Sequence, residues 1–228
     1  MTEETPNTLP EIVGPKEWLT ARRELLVKEK ELTRARDAVT ALRRASPMIE
    51  VEKEYVFEGP DGKVTLLDLF EGRQQLILQH AMFAPEWDDG CLSCRHAIRD
   101  HGYLPHLHEK NTTLAVESRA PFPKIQAYKE RMGWTLPYYS SFGNDFNYDF
   151  HFTLDEEKAP ILINWRTKEE HEAEVGPWDM WGTELPGMAV FIRDGEDIYH
   201  SYSTFARGTD NLLWTLNHLD LTPLGRQV

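Results

Sequence analysis

The most informative feature of the sequence is Trp87-Asp88-Asp89-Gly90-Cys91-Leu92-Ser93-Cys94. An apolar run from Leu76 to Phe83 precedes it and predicts a buried strand. A segment typical of a helix follows from Cys91 to about Glu109, with interruptions at its glycine and proline. A Cys-X-X-Cys pair between a strand and a helix indicates a redox dithiol.

The position of the two cysteines predicts a different role for each. Unpaired N–H groups and the helix dipole stabilise an anion at a helix N-terminus, so Cys91 should favour its thiolate. Cys94 lies one turn further and can reach the first sulfur. We therefore expect Cys91 to be the attacking thiolate and Cys94 the resolving thiol. Asp88 and Asp89 oppose a thiolate electrostatically and limit the lowering of its pKa.

Three other interpretations of the pair stay open. The cysteines could hold zinc or copper together with histidine, and the nearby candidates are His96, His101, His106 and His108. Cys91 could instead reduce peroxides, although Asp88 stands where thiol peroxidases usually have threonine. The pair could also be inert, in a thioredoxin-like module that only binds partners.

The flanking segments predict an α/β sheet with an antiparallel edge. Thr112 to Val116 is a second apolar run typical of a buried strand. Met188 to Ile192 and Ile198 to Ser203 flank an Asp-Gly dipeptide, which indicates a hairpin. Ser140 to Phe150 has neither strand nor helix periodicity. Loops of that kind often shape a pocket, but turn chemistry and packing explain this one equally well.

One proline supports the redox interpretation. Thioredoxin-like folds place a proline, usually cis, before a late strand and opposite the cysteine pair, where it holds substrate backbone. Pro186 precedes the predicted strand that starts near Met188 and is the candidate. An ordinary strand-initiating proline explains the same residue.

The N-terminal region predicts a separate helix. Pro15 suits a first helical turn, and no glycine or proline occurs from Lys16 to Arg44. Apolar residues recur every seven positions along this segment, namely at Trp18, Leu25, Leu32 and Val39. We expect a solvated helix packed through one stripe and keep open a coil that forms a homodimer. The domain prediction is an arm and helix over 1–47 and a second domain over 48–228.

Composition limits the classes of function. The chain has 228 residues, with 25 basic and 38 acidic side chains and a net charge of −13. This charge argues against nucleic-acid binding and against docking on anionic membranes. No apolar run is long enough to cross a bilayer, and the acidic start is unlike a signal peptide. We therefore expect a cytosolic protein.

Nearly the whole sequence resembles the thioredoxin-like proteins grouped as domain-of-unknown-function family 899, which are described as predicted dithiol–disulfide oxidoreductases. The stretches that carry the resemblance are Trp18-Leu19, Ala21-Arg22, Lys28 to Arg34, Tyr55 to Gly62, Arg131 to Trp134, Ser140 to Phe150, Phe205 to Gly208, and Leu219 to Arg226.

The resemblance implies a thioredoxin-like (peroxiredoxin-like) mixed sheet flanked by helices, with an N-terminal helical extension. It places the family's cysteine pair at Cys91 and Cys94, with Trp87 ahead of it. The implied activity needs a disulfide or thiol substrate, small or protein, and a thiol reductant, but no organic cofactor. Leu92 replaces the proline that commonly follows the first cysteine, which puts the redox potential in doubt. The histidine-rich stretch from His96 to His108 is another departure.

Overall fold

The computed structural model describes residues 9–226, and the chain divides into two compact units. One unit combines the segment up to Pro47 with the segment from Thr215 onward. The other runs from Met48 to Trp214 and contains every strand. The C-terminal segment thus groups with the N-terminal helix.

Seven α-helices and ten strands are formed by the described residues. The helices are α1 (Pro15–Ala45), α2 (Leu92–Arg99), α3 (Pro105–His108), α4 (Phe122–Met132), α5 (Phe146–Asp149), α6 (Lys168–Glu174) and α7 (Trp214–Leu219). The strands are β1 (Ile49–Glu50), β2 (Val56–Gly59), β3 (Gly62–Thr65), β4 (Gln75–His80), β5 (Thr112–Ser118), β6 (Tyr138–Ser140), β7 (Leu162–Ile163), β8 (Arg166–Thr167), β9 (Gly187–Asp194) and β10 (Asp197–Phe205). Short 3₁₀ helices cover Asp68–Phe70 and Ala206–Leu212.

The N-terminal helix starts and stops as its sequence predicts. Pro15 occupies the first turn of α1, and the Glu17 carboxylate accepts a hydrogen bond from the Gly14 N–H at 2.9 Å. This satisfies one of the N–H groups that a helix start leaves without a partner. No residue of α1 is buried, and its repeating apolar side chains are exposed.

Eight strands form one mixed sheet in the order β1-β10-β9-β4-β5-β6-β2-β3. The central strands β4, β5 and β6 run parallel, whereas β9 pairs antiparallel with β4 and with β10. Helix α2 connects β4 to β5. This arrangement confirms the thioredoxin-like α/β fold with an N-terminal helical extension.

The stretch from Ile49 to Phe57 contains apolar–polar alternation, yet it is divided between two strands. β1 and β2 stand at positions one and seven of the strand order, although only five residues separate them. Five residues span roughly 20 Å at most, whereas six strand spacings amount to about 29 Å. The sheet must therefore curl so that its two ends approach each other.

Side chains of the central strands alternate between two apolar cores. Leu76 and Leu78 of β4 pack in one core with Phe146, Phe152 and Phe191. The other core holds Ala81, Val116, Cys94 and Ile98, and Ile77 packs against it. Helix α2 therefore covers one face of the sheet, and the phenylalanine-rich core covers the opposite face.

No helix within residues 9–226 combines the length and the apolar character needed to cross a membrane.

Gly187, the first residue of β9, is expected to tolerate no side chain. A Cβ atom there would lie 2.6 Å from the Thr204 carbonyl oxygen and 2.8 Å from Cε1 of Phe152. Because backbone and a packed ring cannot move away cheaply, Gly187→Ala should lower the free energy of unfolding by about 1–3 kcal/mol. Gly102→Ala is the matched control, since no atom lies within 4 Å of its Cβ position. Urea unfolding of both variants checks this, and equal midpoints would contradict the packing argument.

Candidate functional site

The two cysteines occupy the start of α2 in different environments. Cys91 is the N-cap residue and is half-buried, whereas Cys94 is buried in the core beneath the helix. The Cys91 N–H donates to the Met82 carbonyl at 2.9 Å, and the Met82 N–H donates to Sγ of Cys94 at 3.4 Å. Both cysteines are therefore hydrogen-bonded to the loop that follows β4.

Hydrogen bonds to its sulfur lower the pKa of Cys91 from 9.0 to about 6. The largest contribution comes from the Cys94 thiol, burial opposes it, and the Cys94 and Ser93 N–H groups and the Ser93 side chain add to it. Each donor favours the charged form of the sulfur. A lowered pKa favours the thiolate of Cys91 near neutral pH.

The pKa of Cys94 moves in the opposite direction. Its thiol donates to the Cys91 sulfur, it is buried, and the negative charge of Cys91 disfavours a second thiolate. Together these effects raise the pKa of Cys94 well above its ordinary value. One thiolate and one thiol are thus the stable pair, with the charge on the more accessible sulfur.

Trp87 lies in the loop before the cysteines. It packs against the same core as Cys91 and Cys94, and its carbonyl accepts a hydrogen bond from Nζ of Lys124 at 3.0 Å. Asp89 pairs with Arg131, which offsets part of the repulsion that its carboxylate exerts on a thiolate. The structure therefore brings Trp87 together with the cysteine pair.

Pro186 stands immediately before β9, where its carbonyl accepts a hydrogen bond from the Ala206 N–H at 2.8 Å. Every peptide bond in residues 9–226 is trans, so of the two interpretations of Pro186 the ordinary strand-initiating proline fits and the cis proline does not. On one side of Pro186 the Leu185 N–H donates to the Phe152 carbonyl at 2.8 Å, and on the other side Gly187 pairs with Phe205 in the sheet. The contacts of the described residues do not join Pro186 to either cysteine.

A buried ionic cluster, which the sequence did not reveal, lies at the ends of β4 and β5. His80 and Glu117 are partners in the parallel register, and Nδ1 of His80 lies 2.6 Å from Oε1 of Glu117. On the other side of the ring, Nε2 lies 3.3 Å from Oε2 of Glu184. Arg119 donates to Oε1 of Glu184 at 2.7 Å. Both His80 and Glu117 have no exposed surface.

Polar neighbours complete the cluster. The Ser141 hydroxyl donates to Oε2 of Glu117 at 2.8 Å, and the Thr153 hydroxyl donates to Oε1 of Glu184 at 3.1 Å. The Asn147 amide lies against Nδ1 of His80 at 2.8 Å. Each carboxylate therefore has several partners, as a buried charge requires.

The carboxylates keep His80 protonated. Burial alone would lower the pKa of His80, but Glu117 and Glu184 together outweigh burial and raise it from 6.5 to about 9. Burial likewise opposes ionisation of Glu184, yet His80, Arg119 and Thr153 hold the pKa of that carboxyl below its usual range. The cluster thus pairs His80 with Glu117 and Glu184, and Arg119 with Glu184.

Strand alternation separates this cluster from the cysteines. His80 stacks on Phe152 with ring centroids 5.1 Å apart, and Phe152 belongs to the core opposite α2. The neighbouring residues Ala81 and Val116 face the cysteine side. The strand ends therefore carry a thiol pair on one face and an ionic cluster on the other.

Comparisons with known proteins place the chain in a family. The sequence profile of a family described as "Bacterial protein of unknown function (DUF899)" matches residues 7–228. The chain belongs to the DUF899 family. No sequence among curated proteins matches it.

Solved structures with a similar fold share little sequence with this DUF899 protein. The peroxidoxin BcpB from Mycobacterium tuberculosis is 14% identical, with 76% of this chain and 97% of that chain covered and a TM-score of 0.44. A cysteine mutant of PrxQ from Xylella fastidiosa is 12% identical, with coverage of 72% and 88% and a TM-score of 0.43. A candidate protein disulfide isomerase from Bacteroides thetaiotaomicron is 19% identical, with coverage of 76% and 92% and a TM-score of 0.41.

The histidines between His96 and His108 do not form a metal site with the cysteines of this DUF899 protein. His101 bonds to Gln79, and burial lowers its pKa to about 4, while His106 packs edge-on against Tyr103. Within residues 9–226 no group of three or more His, Cys, Asp or Glu side chains is placed to hold a metal ion.

The ionic cluster should make the stability of this DUF899 protein fall as pH rises. The pKa of His80 is raised from 6.5 to about 9, so its ion pairs stabilise the fold fully below about pH 6.5 and are lost as pH passes about 9. The expected loss is at least about 1 kcal/mol, measured by urea unfolding between about pH 6 and pH 9.5.

This measurement needs a Cys91→Ser, Cys94→Ser background, because the lowered pKa of Cys91 would raise stability over the same pH range. His80→Gln in that background should flatten the fall. A nitrogen NMR titration measures the pKa of the His80 ring directly, without a substitution at His80. A ring that deprotonates near pH 6.5 would contradict the ion pairing.

Proposed function

We propose that this protein is a thiol–disulfide oxidoreductase that acts through Cys91 and Cys94. The observation that carries the proposal is the opposite protonation of two sulfurs within hydrogen-bond reach. The pKa of Cys91 is lowered to about 6 on the half-buried N-cap, whereas burial and the neighbouring thiolate raise that of Cys94. An attacking thiolate and a protonated resolving thiol are what two-step exchange requires.

In the first step the Cys91 thiolate attacks one sulfur of a substrate disulfide. A bond forms between Sγ of Cys91 and that sulfur, the substrate S–S bond breaks, and the departing thiolate takes a proton from solvent. The mixed disulfide no longer carries the Cys91 charge. Two of the three effects that raise the pKa of Cys94 are thereby removed, and burial alone remains.

In the second step Cys94 loses its proton and attacks Sγ of Cys91. The Cys91–Cys94 disulfide forms and the second substrate thiol leaves, so the substrate gains two electrons and the protein loses two. A thiol reductant then restores the dithiol by the same two exchanges in reverse. All of these steps use sulfur chemistry only, so the proposal includes no organic cofactor.

Peroxide reduction would use the same Cys91 thiolate, but its surroundings favour disulfide exchange. The groups that lower the pKa of Cys91 are Cys94, Ser93 and backbone N–H groups, with no arginine among them in the described part of the chain. A peroxidase needs donors close to the sulfur that stabilise the leaving oxygen. The buried partner Cys94 suits the release of a mixed disulfide instead.

The surroundings of Cys91 allow a substrate to approach. Leu92 follows it with 57% of its surface exposed and offers an apolar contact beside the sulfur. Trp87 packs on the same core and shapes the loop at that side. We assign Trp87 a positioning role in the proposed exchange, because it packs against the same core as both cysteines. Pro186, which no contact of the described residues joins to the cysteines, has its role at the start of β9. A cytosolic location suits the proposal because a reducing compartment supplies the thiol reductant.

A homodimer through α1 is a further part of this proposal. The seven-residue repeat of Trp18, Leu25, Leu32 and Val39 is exposed along the helix. Such a stripe can pair with the same stripe of a second copy. Light scattering after size-exclusion chromatography should give twice the mass of the chain, and Leu25→Glu with Leu32→Glu should give the single mass. A wild-type monomer would contradict the pairing.

The exchange activity should depend on the two cysteines in different ways. Cys91→Ser should abolish reduction of a mixed glutathione–peptide disulfide by a dithiol reductant. Cys94→Ser should retain the first step and accumulate one mixed disulfide per chain, detectable by mass spectrometry. Alkylation of Cys91 in the wild type should titrate near pH 6.

Matched measurements decide between the interpretations. Hydrogen peroxide in place of the disulfide tests the peroxidase interpretation. If the protein is a peroxidase, peroxide should oxidise Cys91 of the Cys94→Ser variant at the full initial rate. Exchange that survives Cys91→Ser would overturn the proposal, as would a Cys91 alkylation rate that titrates near pH 9. Gly102→Ala serves as a folded control outside the site.

A further inference from the structure

A small cavity lies where loops from three parallel strands meet. Its volume is about 250 Å³. Pro85 follows β4, Arg119 follows β5, and the segment from Ser141 to Asp145 follows β6, and all of them line it. In open α/β sheets ligands bind outside the carboxyl ends of parallel strands. Tyr148 and Lys158 complete the lining.

The ionic cluster holds Arg119 in one orientation at this cavity. Its guanidinium donates to Glu184 at 2.7 Å and lies over the Tyr148 ring, 5.3 Å from the centroid. Glu184 is itself held by His80 and Thr153. Among the described residues Glu184 is the hydrogen-bond partner of Arg119. A guanidinium has five N–H donors, so Arg119 retains donors for a ligand.

The charges around the cavity favour an anion. Arg119 and Lys158 are its cations, and its one carboxylate, Asp145, is paired with Lys53 at 2.9 Å. A neighbouring cavity of about 430 Å³ shares Arg119 but has four carboxylates in its lining. These belong to Glu86, Asp155, Glu156 and Glu157. An anion therefore meets one lining carboxylate at the smaller cavity and four at the larger one, so the smaller cavity is the better place for it in a chain whose net charge is −13.

The remaining lining suits a short carbon chain. Phe142 is exposed at this cavity, and Pro85 and the Tyr148 ring add apolar surface. The Asn144 amide is already committed, since it donates to the Val56 carbonyl at 2.8 Å. The planar fork of an arginine matches the two oxygens of a carboxylate.

We propose that this cavity binds a small carboxylate, with the carboxylate on Arg119 and Lys158 and the carbon chain against Phe142 and Tyr148. The buried cluster acts as the support that fixes the arginine. This site stands apart from the thiol pair, because Arg119 is tied to the face of the sheet opposite the cysteines. It therefore does not depend on the exchange activity.

Calorimetric titration of the full chain with sodium succinate tests the proposal. The Cys91→Ser, Cys94→Ser background removes thiol chemistry, so the result is independent of the exchange proposal. Succinate should bind saturably at one site, and succinamide, which lacks the charge, should not. Lys158→Gln should weaken binding by about tenfold, since it removes one charge-assisted hydrogen bond. Lys158 is exposed, so this variant keeps the fold.

Two further variants sharpen the result. Arg119→Lys keeps the charge beside Glu184 but loses the planar fork, and it should weaken succinate binding by about tenfold or more. Arg166→Gln removes an exposed arginine paired with Glu174 and should leave binding unchanged. Failure of succinate, acetate and propionate to bind would overturn the proposal. Binding unaffected by Lys158→Gln, or tighter binding of inorganic phosphate than of any carboxylate, would also overturn it.

Discussion

The parallel ladder between β4 and β5 is the constraint on which the rest of the structure depends. Its six residue pairs run from Gln75 with Thr112 to His80 with Glu117. A slip of one residue would turn every side chain of a strand to the other face of the sheet. His80 would then meet the core beneath α2, where an unpaired imidazolium has no carboxylate. The apolar alternation and the ionic cluster therefore enforce one register together.

That register produces two chemically different regions at one end of the sheet. On the α2 face, the loop after β4 is held by hydrogen bonds between Met82 and both cysteines. These bonds place the Cys91 sulfur at the N-cap and the Cys94 sulfur in the core. Their environments pull the two pKa values apart, and a pair separated in this way has defined acid and base roles. On the opposite face, full burial is offset by pairing, so the charges of His80, Glu117 and Glu184 persist inside the protein.

Compared with apolar side chains of similar volume, a buried ion pair adds little net stability, because desolvation costs about as much as the attraction returns, although loss of one partner's charge is costly. In this protein the ion pairs fix the orientation of the Glu184 and Arg119 side chains. Glu184 is fixed by His80 and Thr153, and it fixes Arg119 beside the loops that follow three parallel strands. The cluster thus restrains the Arg119 guanidinium beside a partly open cavity. A restrained side chain loses less conformational freedom when a ligand binds to it.

Elements with a local cause can be predicted from the amino-acid sequence. Cys91 and Cys94 between an apolar run and a helix, Pro15 at a helix start, and Asp194-Gly195 in a hairpin act through spacing and backbone conformation that neighbouring residues dictate. Features that depend on contacts between distant segments became known from the folded chain. The tertiary structure separated β1 from β2 within one alternating stretch, kept the bond before Pro186 trans, and brought His80 to Glu117 and Glu184, which lie 37 and 104 positions away. Residues so far apart meet only through strand register, and a single sequence does not encode register as a local pattern.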